Sequence, residues 1–258
     1  MTDPLVAAGG SLGELPAVVR TWVDGWARSR GTDAPRDVPG GFRIEVGSPN
    51  HRARYVLPAA DPAVLRDLVG AIDTPGLWIK VCAPREALEP ALTPAWKISE
   101  PQYLMVSALA PMPPATPPPG YTLDLTDHDG IIDARVLCSG SGTGTGTGSG
   151  SGGAVPAASG RAALTTGAPG SVAYAVPAPS SPAPAPPCAA AAVFDMIGTE
   201  AAHRRRGLGR FLMASLARRA AELGAGQGVL VASPDGRALY EALGWRLRAP
   251  VTAAVFTA

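Results

Sequence analysis

Three arginines and a histidine precede two closely spaced glycines in His203-Arg204-Arg205-Arg206-Gly207-Leu208-Gly209, where an apolar helical pattern begins. This combination suits the binding of a diphosphate. The first turn of a helix presents main-chain N–H groups without intrahelical acceptors and carries a partial positive charge, so an anion is held there without a dedicated side chain. Gly207 and Gly209 have no Cβ, which admits an oxygen-rich ligand close to the main chain and tolerates the dihedrals of a tight loop. The arginines add longer-range attraction. Taken alone, the same residues also fit a solvated basic cluster or a nucleic-acid contact, and a short Gly-x-Gly has little specificity. No Gly-Lys-Ser/Thr follows, which excludes a Walker loop, and the third glycine of a dinucleotide fingerprint is missing.

The elements that must position this loop are readable on both sides of it. Downstream, Leu208, Phe211, Leu212, Ser215, Leu216, Ala220 and Leu223 recur at helical spacing, Arg210, Arg218, Arg219 and Glu222 take the other face, and Gly224 ends the run. Upstream, Ala189 to Thr199 reads as a buried strand, with Val193, Asp195, Ile197 and Thr199 on one side and Ala192, Phe194 and Met196 on the other. The loop therefore joins a strand to a helix. Farther on, Val229 to Ala232 forms a short apolar strand. Ser233-Pro234 caps and opens a helix that runs through Arg237-Ala-Leu-Tyr-Glu-Ala-Leu-Gly-Trp245.

With strand, loop and helix in place, Arg204-Arg205-Arg206-Gly207-Leu208-Gly209 matches in full the Arg/Gln-x-x-Gly-x-Gly/Ala pattern of the GCN5-related N-acetyltransferases. The later Ala-Leu-Tyr-Glu-x-x-Gly-aromatic ending resembles the second signature of that family. The resemblance covers about residues 189 to 258, and residues 121 to 176 fit only as a plausible set of strands. It implies an α+β or α/β fold with a mixed, mostly antiparallel central sheet flanked by helices. It further implies acetyl-coenzyme A as acyl-donor cosubstrate, with its diphosphate on the main chain of Arg204, Arg205, Arg206, Gly207, Leu208, Gly209 and Arg210. The pantetheine arm is implied to run along Ile197, Gly198 and Thr199. Tyr240 takes the place of the tyrosine that protonates the departing thiolate, a role that a neutral phenol can fill; its alternative is packing between helix and strand. Asp195 stands where many members carry a carboxylate. Flanked by Val193 and Ile197 it is expected to have a raised pKa and to serve as general base, or else to be a structural hydrogen-bond partner. A main-chain N–H near Ile197 would stabilise the oxyanion. Glu200 and His203 are weaker candidates that flank the loop. Where the family often has a coenzyme-contacting asparagine, this chain has Ser233 or Asp235, and an acidic Asp235 cannot donate the same hydrogen bond.

Composition bounds the remaining classes. The chain has 258 residues, 46% of them hydrophobic, and a net charge of +1, so it can build one large or two modest cores and does not favour general nucleic-acid binding. No apolar stretch reaches membrane-spanning length, and Met1-Thr-Asp-Pro-Leu-Val does not read as a signal peptide; a cytoplasmic protein without membrane partners is expected. Cys82, Cys138 and Cys188 are scattered, as are His51, His128 and His203, so neither a disulfide framework nor a metal site is expected.

The first part of the chain reads as an α+β lobe over residues 1–110. Leu15, Val18, Val19, Trp22, Val23 and Trp26 make a helical stripe starting near Pro16. Phe42, Ile44 and Val46 are expected to pair with Ala53, Tyr55 and Leu57 across a Gly47-to-Asn50 turn. Asp61-Pro62 caps a helix through Val64, Leu65, Leu68, Val69 and Ile72, and Leu77 to Cys82 and Tyr103 to Leu109 read as strands. This lobe is either a degenerate second copy of the acetyltransferase scaffold or an addition that shapes the acceptor pocket. Trp22, Trp26, Trp78 and Trp96 read as core. A proline-rich connector at 111–120 is expected to separate it from a second unit at 121–258, which carries flexible low-complexity insertions at 139–153 and 177–187.

Two functions of different class follow. One is an enzyme that transfers acetyl from acetyl-coenzyme A directly to a primary amine of a small molecule, peptide or protein. The other is a non-catalytic acyl-coenzyme A binding or regulatory module. A homodimer is compatible with either.

Overall fold

The computed structural model describes residues 14–138, 156–166 and 189–258; the sequence-expected insertions at 139–153 and 177–187 lie outside the described residues. In chain order the elements are α1 (Leu15–Arg30), β1 (Arg36–Val38), β2 (Gly41–Ser48), β3 (His51–Leu57), α2 (Pro62–Ala71), β4 (Leu77–Val81), α3 (Arg85–Leu88), β5 (Trp96–Ile98) and β6 (Gln102–Ala108). They continue with β7 (Tyr121–His128), β8 (Ile131–Cys138), β9 (Ala158–Thr166), β10 (Ala189–Thr199), α4 (Leu208–Glu222), β11 (Gln227–Ala232), α5 (Pro234–Glu241) and β12 (Arg246–Phe256). The helices begin and end where the sequence signals them. Asp61 accepts from the N–H groups of Ala63 and Val64 at the start of α2, Ser233 Oγ accepts from Gly236 N at the start of α5, and Pro16 occupies the first turn of α1.

Among the described residues all strands join one sheet in the order β1-β2-β3-β4-β12-β6-β11-β10-β9-β8-β7, with β5 also paired to β12. Only β10–β11 and β3–β4 are parallel, so the sheet is mixed and mostly antiparallel. Adjacent residues of the central strands feed opposite layers. Phe194, Leu230 and Met105 pack under α4 with Phe211, Leu212 and Leu216, whereas Val193, Val229 and Val106 pack under α1 with Val19, Trp22 and Val23. A third cluster, around Leu57, Leu65, Ile79, Val81 and Trp96, lies beneath α2. Each fully buried aliphatic side chain contributes about 1.5–3 kcal/mol, so these three clusters hold the helices to the sheet.

Four features of the sheet depart from the sequence reading or lie beyond it. First, described strands before and after the 111–120 connector join one sheet. β6, which precedes the connector, is hydrogen-bonded between β11 and β12, and α1 packs on β9, β10 and β11. Second, β2 and β3 pair one residue away from the expected register: Phe42 faces Val56 and Ile44 faces Arg54. Both faces of β3 are covered, so alternation of apolar residues could not choose between them. Third, β10 contains a bulge. Met196 has φ +56° and the pairing with β9 slips between Asp195 and Gly198. The bulge turns Ile197 toward the α4 layer, away from the side that Val193 and Asp195 share. Fourth, β12 had no clear sequence signal, yet it bridges the sheet. Its Arg246–Val251 part pairs with β6, and its later residues pair with β4 and β5.

Candidate functional site

β10 and β11 are hydrogen-bonded from Ala191–Gln227 to Phe194–Leu230 and no farther, although both strands continue. Beyond Phe194, β10 stays with β9 only, through Gly198–Ser159 and Thr199–Ala158. The main-chain edge of Asp195 to Thr199 that faces away from β9 is thus left without a strand partner among the described residues. The strained dihedral at Met196, half-exposed at 51%, marks the place where the opening starts.

From Thr199 the chain enters a short 3₁₀ turn, Ala201–His203, and reaches α4 through Arg204 to Gly207. Gly207 has φ +80°, a conformation that disfavours a side chain, and a Cβ placed on it would meet nothing within 4 Å. Gly209 serves a different purpose: its Cβ would lie 3.0 Å from Leu239 of α5, so it permits close packing of the two helices. Phe211 N makes the first helical bond, to Gly207 O at 3.0 Å, leaving the amides of Leu208, Gly209 and Arg210 at the open helix end. The arginines are unequal. Arg204 Nε donates to Thr199 O at 3.2 Å, and Arg206 donates to the Tyr121 hydroxyl at 3.2 Å, which also meets His203 Nδ1 at 2.9 Å. These contacts brace the loop, while Arg205 and Arg210 are exposed. Glu200 is also exposed, its N–H bonded to Ala157 O.

The opening leads into a cleft of about 710 Å³. Asp195, Met196 and Ile197 of β10, Val231 and Ala232 of β11, and Ser233 and Tyr240 at α5 line one part of it. Tyr240 is buried at 7% exposure against Trp245, and burial together with the nearby Asp195 carboxylate pushes its phenol up to about 12. It is a neutral proton donor throughout the physiological range. Asp195 is not framed by apolar neighbours alone, as the sequence implied. Its Oδ2 accepts from Arg30 Nε at 2.5 Å and Ser29 Oγ at 3.1 Å, and its Oδ1 accepts from Arg30 Nη2 at 3.1 Å. Asp235 does not line this cleft; it lies in a separate small depression with Glu100 and Pro101, in the first turn of α5.

The rest of the lining comes from the first part of the chain: Trp22, Trp26, Arg30 and Thr32 from α1 and its exit, Val46, Ser48, His51 and Arg54 from β2 and β3, Lys80 from β4 and Gln102 from β6. None was expected as a site residue. Arg54 stacks with its guanidinium 3.9 Å from the Trp26 ring centre and donates Nε to His51 Nε2 at 3.1 Å; His51 in turn stacks on Trp78 at 5.0 Å. Lys80 Nζ donates to Gln102 Oε1 at 2.8 Å, 5.8 Å from the Trp22 ring centre. Burial, reinforced by neighbouring cations, pushes His51 down to about 3, Arg54 down to about 10 and Lys80 down to about 7. One signal for Lys80 was present in the sequence, a single charge inside the apolar run Leu77-Trp-Ile-Lys-Val-Cys82. Arg54 gave none, since one arginine among the several of β2 and β3 carries no mark of burial.

Among the described residues no helix is long and apolar enough to cross a membrane, and no group of three or more His, Cys, Asp or Glu side chains gathers to hold a metal ion.

Residues 190–254 match the family model described as FR47-like protein. No curated protein matches the chain. Among solved structures, the chain is similar to a GCN5-related N-acetyltransferase from Kribbella flavida, with a TM-score of 0.60, 16% identity and coverage of 96% of this chain and 97% of the other. It is also similar to a GCN5-related N-acetyltransferase from Sphaerobacter thermophilus, with a TM-score of 0.52, 8% identity and coverage of 94% and 93%.

Proposed function

Because the chain has the fold of the GCN5-related N-acetyltransferases and an FR47-like segment over residues 190–254, we propose that it is an N-acetyltransferase. In this reading it moves an acetyl group from acetyl-coenzyme A directly to a primary amine held in the cleft. The observation that carries this reading is the convergence of three features: the unpaired β10 edge after Phe194, the open α4 start at Gly207, and a protonated Tyr240 at the cleft between β10 and α5.

Those features suit acetyl-coenzyme A in the chemistry they offer. The amides of Leu208, Gly209 and Arg210, the room beside Gly207 and the exposed Arg205 and Arg210 would hold its diphosphate. The main-chain groups of Ile197, Gly198 and Thr199 would bond the pantetheine arm as a further strand would. The donor supplies an activated thioester; the chain orients it and manages protons. As the amine nitrogen bonds to the carbonyl carbon and the carbon–sulfur bond breaks, Tyr240 gives its proton to the leaving sulfur; the amine loses its proton to water, and water returns one to the Tyr240 phenolate. Asp195 is engaged on both oxygens by Arg30 and Ser29, so its part is to hold Arg30 and the end of α1 against β10; acting as a base would require leaving that pair.

The test is twofold. Acetyl-coenzyme A should raise the melting temperature, and a panel of amines should release free thiol from it, with Tyr240→Phe slowing release but retaining the thermal shift. A thermal shift with no thiol release for any amine would favour the binding-module reading; absence of both would sink the coenzyme site.

A further inference from the structure

We propose that the cleft is built for a small acceptor that carries an anionic oxygen group, a carboxylate or a phosphate, besides the amine that is acetylated, and that Arg54 is the principal seat of that anion. The identity of the amine as the acetylated group rests on the acetyl-transfer reading; the anion seat does not.

The charges that line the cleft do not balance. Among the described lining residues the basic groups are Arg30, Arg54 and Lys80, and the only carboxylate is Asp195. Asp195 is taken by Arg30, which grips both its oxygens. Arg54, 6% exposed, and Lys80, 8% exposed, are therefore buried cations with no carboxylate bonded to either among the described residues. Their contacts do not neutralise them. Arg54 donates to His51 Nε2, which places the ring proton on Nδ1 and leaves His51 uncharged, and Lys80 donates to the amide oxygen of Gln102. The tryptophan faces of α1 soften the charges without removing them.

A buried cation without a counterion is unfavourable, and a position of this kind in a purely structural core is ordinarily apolar. Here one guanidinium and one ammonium come from adjacent strands onto the wall of a single cleft. Arg54 spends one of its N–H groups on His51, and its terminal nitrogens hold no protein acceptor among the described residues. That planar fork matches a carboxylate or phosphate edge. The lowered proton affinities of Lys80 and Arg54 have the same origin, and a bound oxyanion would reverse both. A volume of about 710 Å³ is that of a small-molecule site, so the anion belongs to a compact acceptor.

Free-thiol release from acetyl-coenzyme A by the 258-residue chain should be compared across the common amino acids and their amides for the carboxylate arm, and across phosphoethanolamine and ethanolamine for the phosphate arm. The preferred acid should exceed its uncharged counterpart by ~10- to 100-fold in kcat/KM. Arg54→Gln should erase that ratio, and Arg54→Lys should restore part of it. The arm that shows the preference names the anion. The melting temperature gives a readout without turnover: the preferred acid should raise it in the wild type and not in Arg54→Gln, whereas acetyl-coenzyme A should raise it in both, which shows that the variant is folded. Equal use of acids and their uncharged counterparts, or a preference that survives Arg54→Gln, overturns the proposal. Should no amine release thiol, the acetyl-transfer reading fails separately, and a lack of Arg54-dependent thermal shift with the same compounds would overturn the anion seat on its own.

Discussion

The two walls of the cleft recognise by opposite means. On the wall formed by β10, the 204–210 loop and the starts of α4 and α5, the groups presented are mainly main-chain amides and carbonyls, shaped by a bulge at Met196 and a glycine at 207. On the wall formed by α1, β3, β4 and β6, the groups are long side chains, two of them buried cations stacked on tryptophan. A wall made of backbone offers main-chain groups that water can serve until a ligand arrives, and it depends on chain path. A wall made of buried charge is held at a cost to stability, which makes sense if a ligand completes it. In the proposed reading the first wall would take the acyl donor and the second the acceptor.

Four changes would break or sharpen that contrast. The largest concerns Tyr240, the proposed proton donor. Tyr240→Phe should lower kcat by ~10²- to 10⁴-fold with the acetyl-coenzyme A thermal shift unchanged. An undiminished rate would move the acid role elsewhere.

Lys80→Met should do the reverse of a usual core substitution. It should raise stability by about 1–4 kcal/mol in chemical denaturation while weakening the preference for anionic acceptors. The pH dependence has a definite sign. Lys80 is lowered from 10.5 to about 7 by burial, with Arg54 and Arg30 disfavouring its charge and Asp195 and Cys82 favouring it; His51 also faces the cleft but is neutral. Between pH 7 and 10.5 the unfolded chain binds more protons than the folded one, so wild-type stability from this group rises with pH across that window. The advantage of Lys80→Met should thus be greatest below pH 7 and fade toward pH 10.

Gly25→Ala tests how the walls are joined. Its Cβ would fall 2.3 Å from Val193 Cγ2, forcing α1 away from β10, and overpacking of this sort costs about 1–3 kcal/mol. Because α1 also carries Arg30, Trp22 and Trp26, acceptor KM should rise more than that for acetyl-coenzyme A. The smallest effect should come from Arg205→Ala, an exposed charge: less than about 1 kcal/mol in acetyl-coenzyme A affinity, shrinking further with added salt. A large loss would mean that the loop works by charge and not by its amides.

How far the sequence could be read follows the same division. The strand before the loop, the glycines, the start of α4 at Leu208 and the Ser233-Pro234 entry to α5 are contiguous signals, and each lies where its local pattern places it. The bulge at Met196 left no mark, since φ +56° at a methionine is imposed by the surrounding sheet and not by local preference. Arg30, Arg54 and Lys80 are distant in sequence and meet only because α1 lies across β10 while β3 and β4 run parallel beside β12. Nothing local in the chain states that juxtaposition. The one-residue error in the β2–β3 register arose because a doubly covered strand gives no alternating pattern to follow.

The position of β12 has a consequence for how the protein is made. β4 and β6 are hydrogen-bonded to each other only through this strand, which is synthesised after every other described element. Until it emerges from the ribosome, both neighbours offer an open edge able to pair with a foreign strand. Nascent chains should therefore be most prone to aggregate until Arg246–Phe256 has emerged, and a stop codon placed just before Arg246 should yield insoluble protein rather than a smaller folded unit.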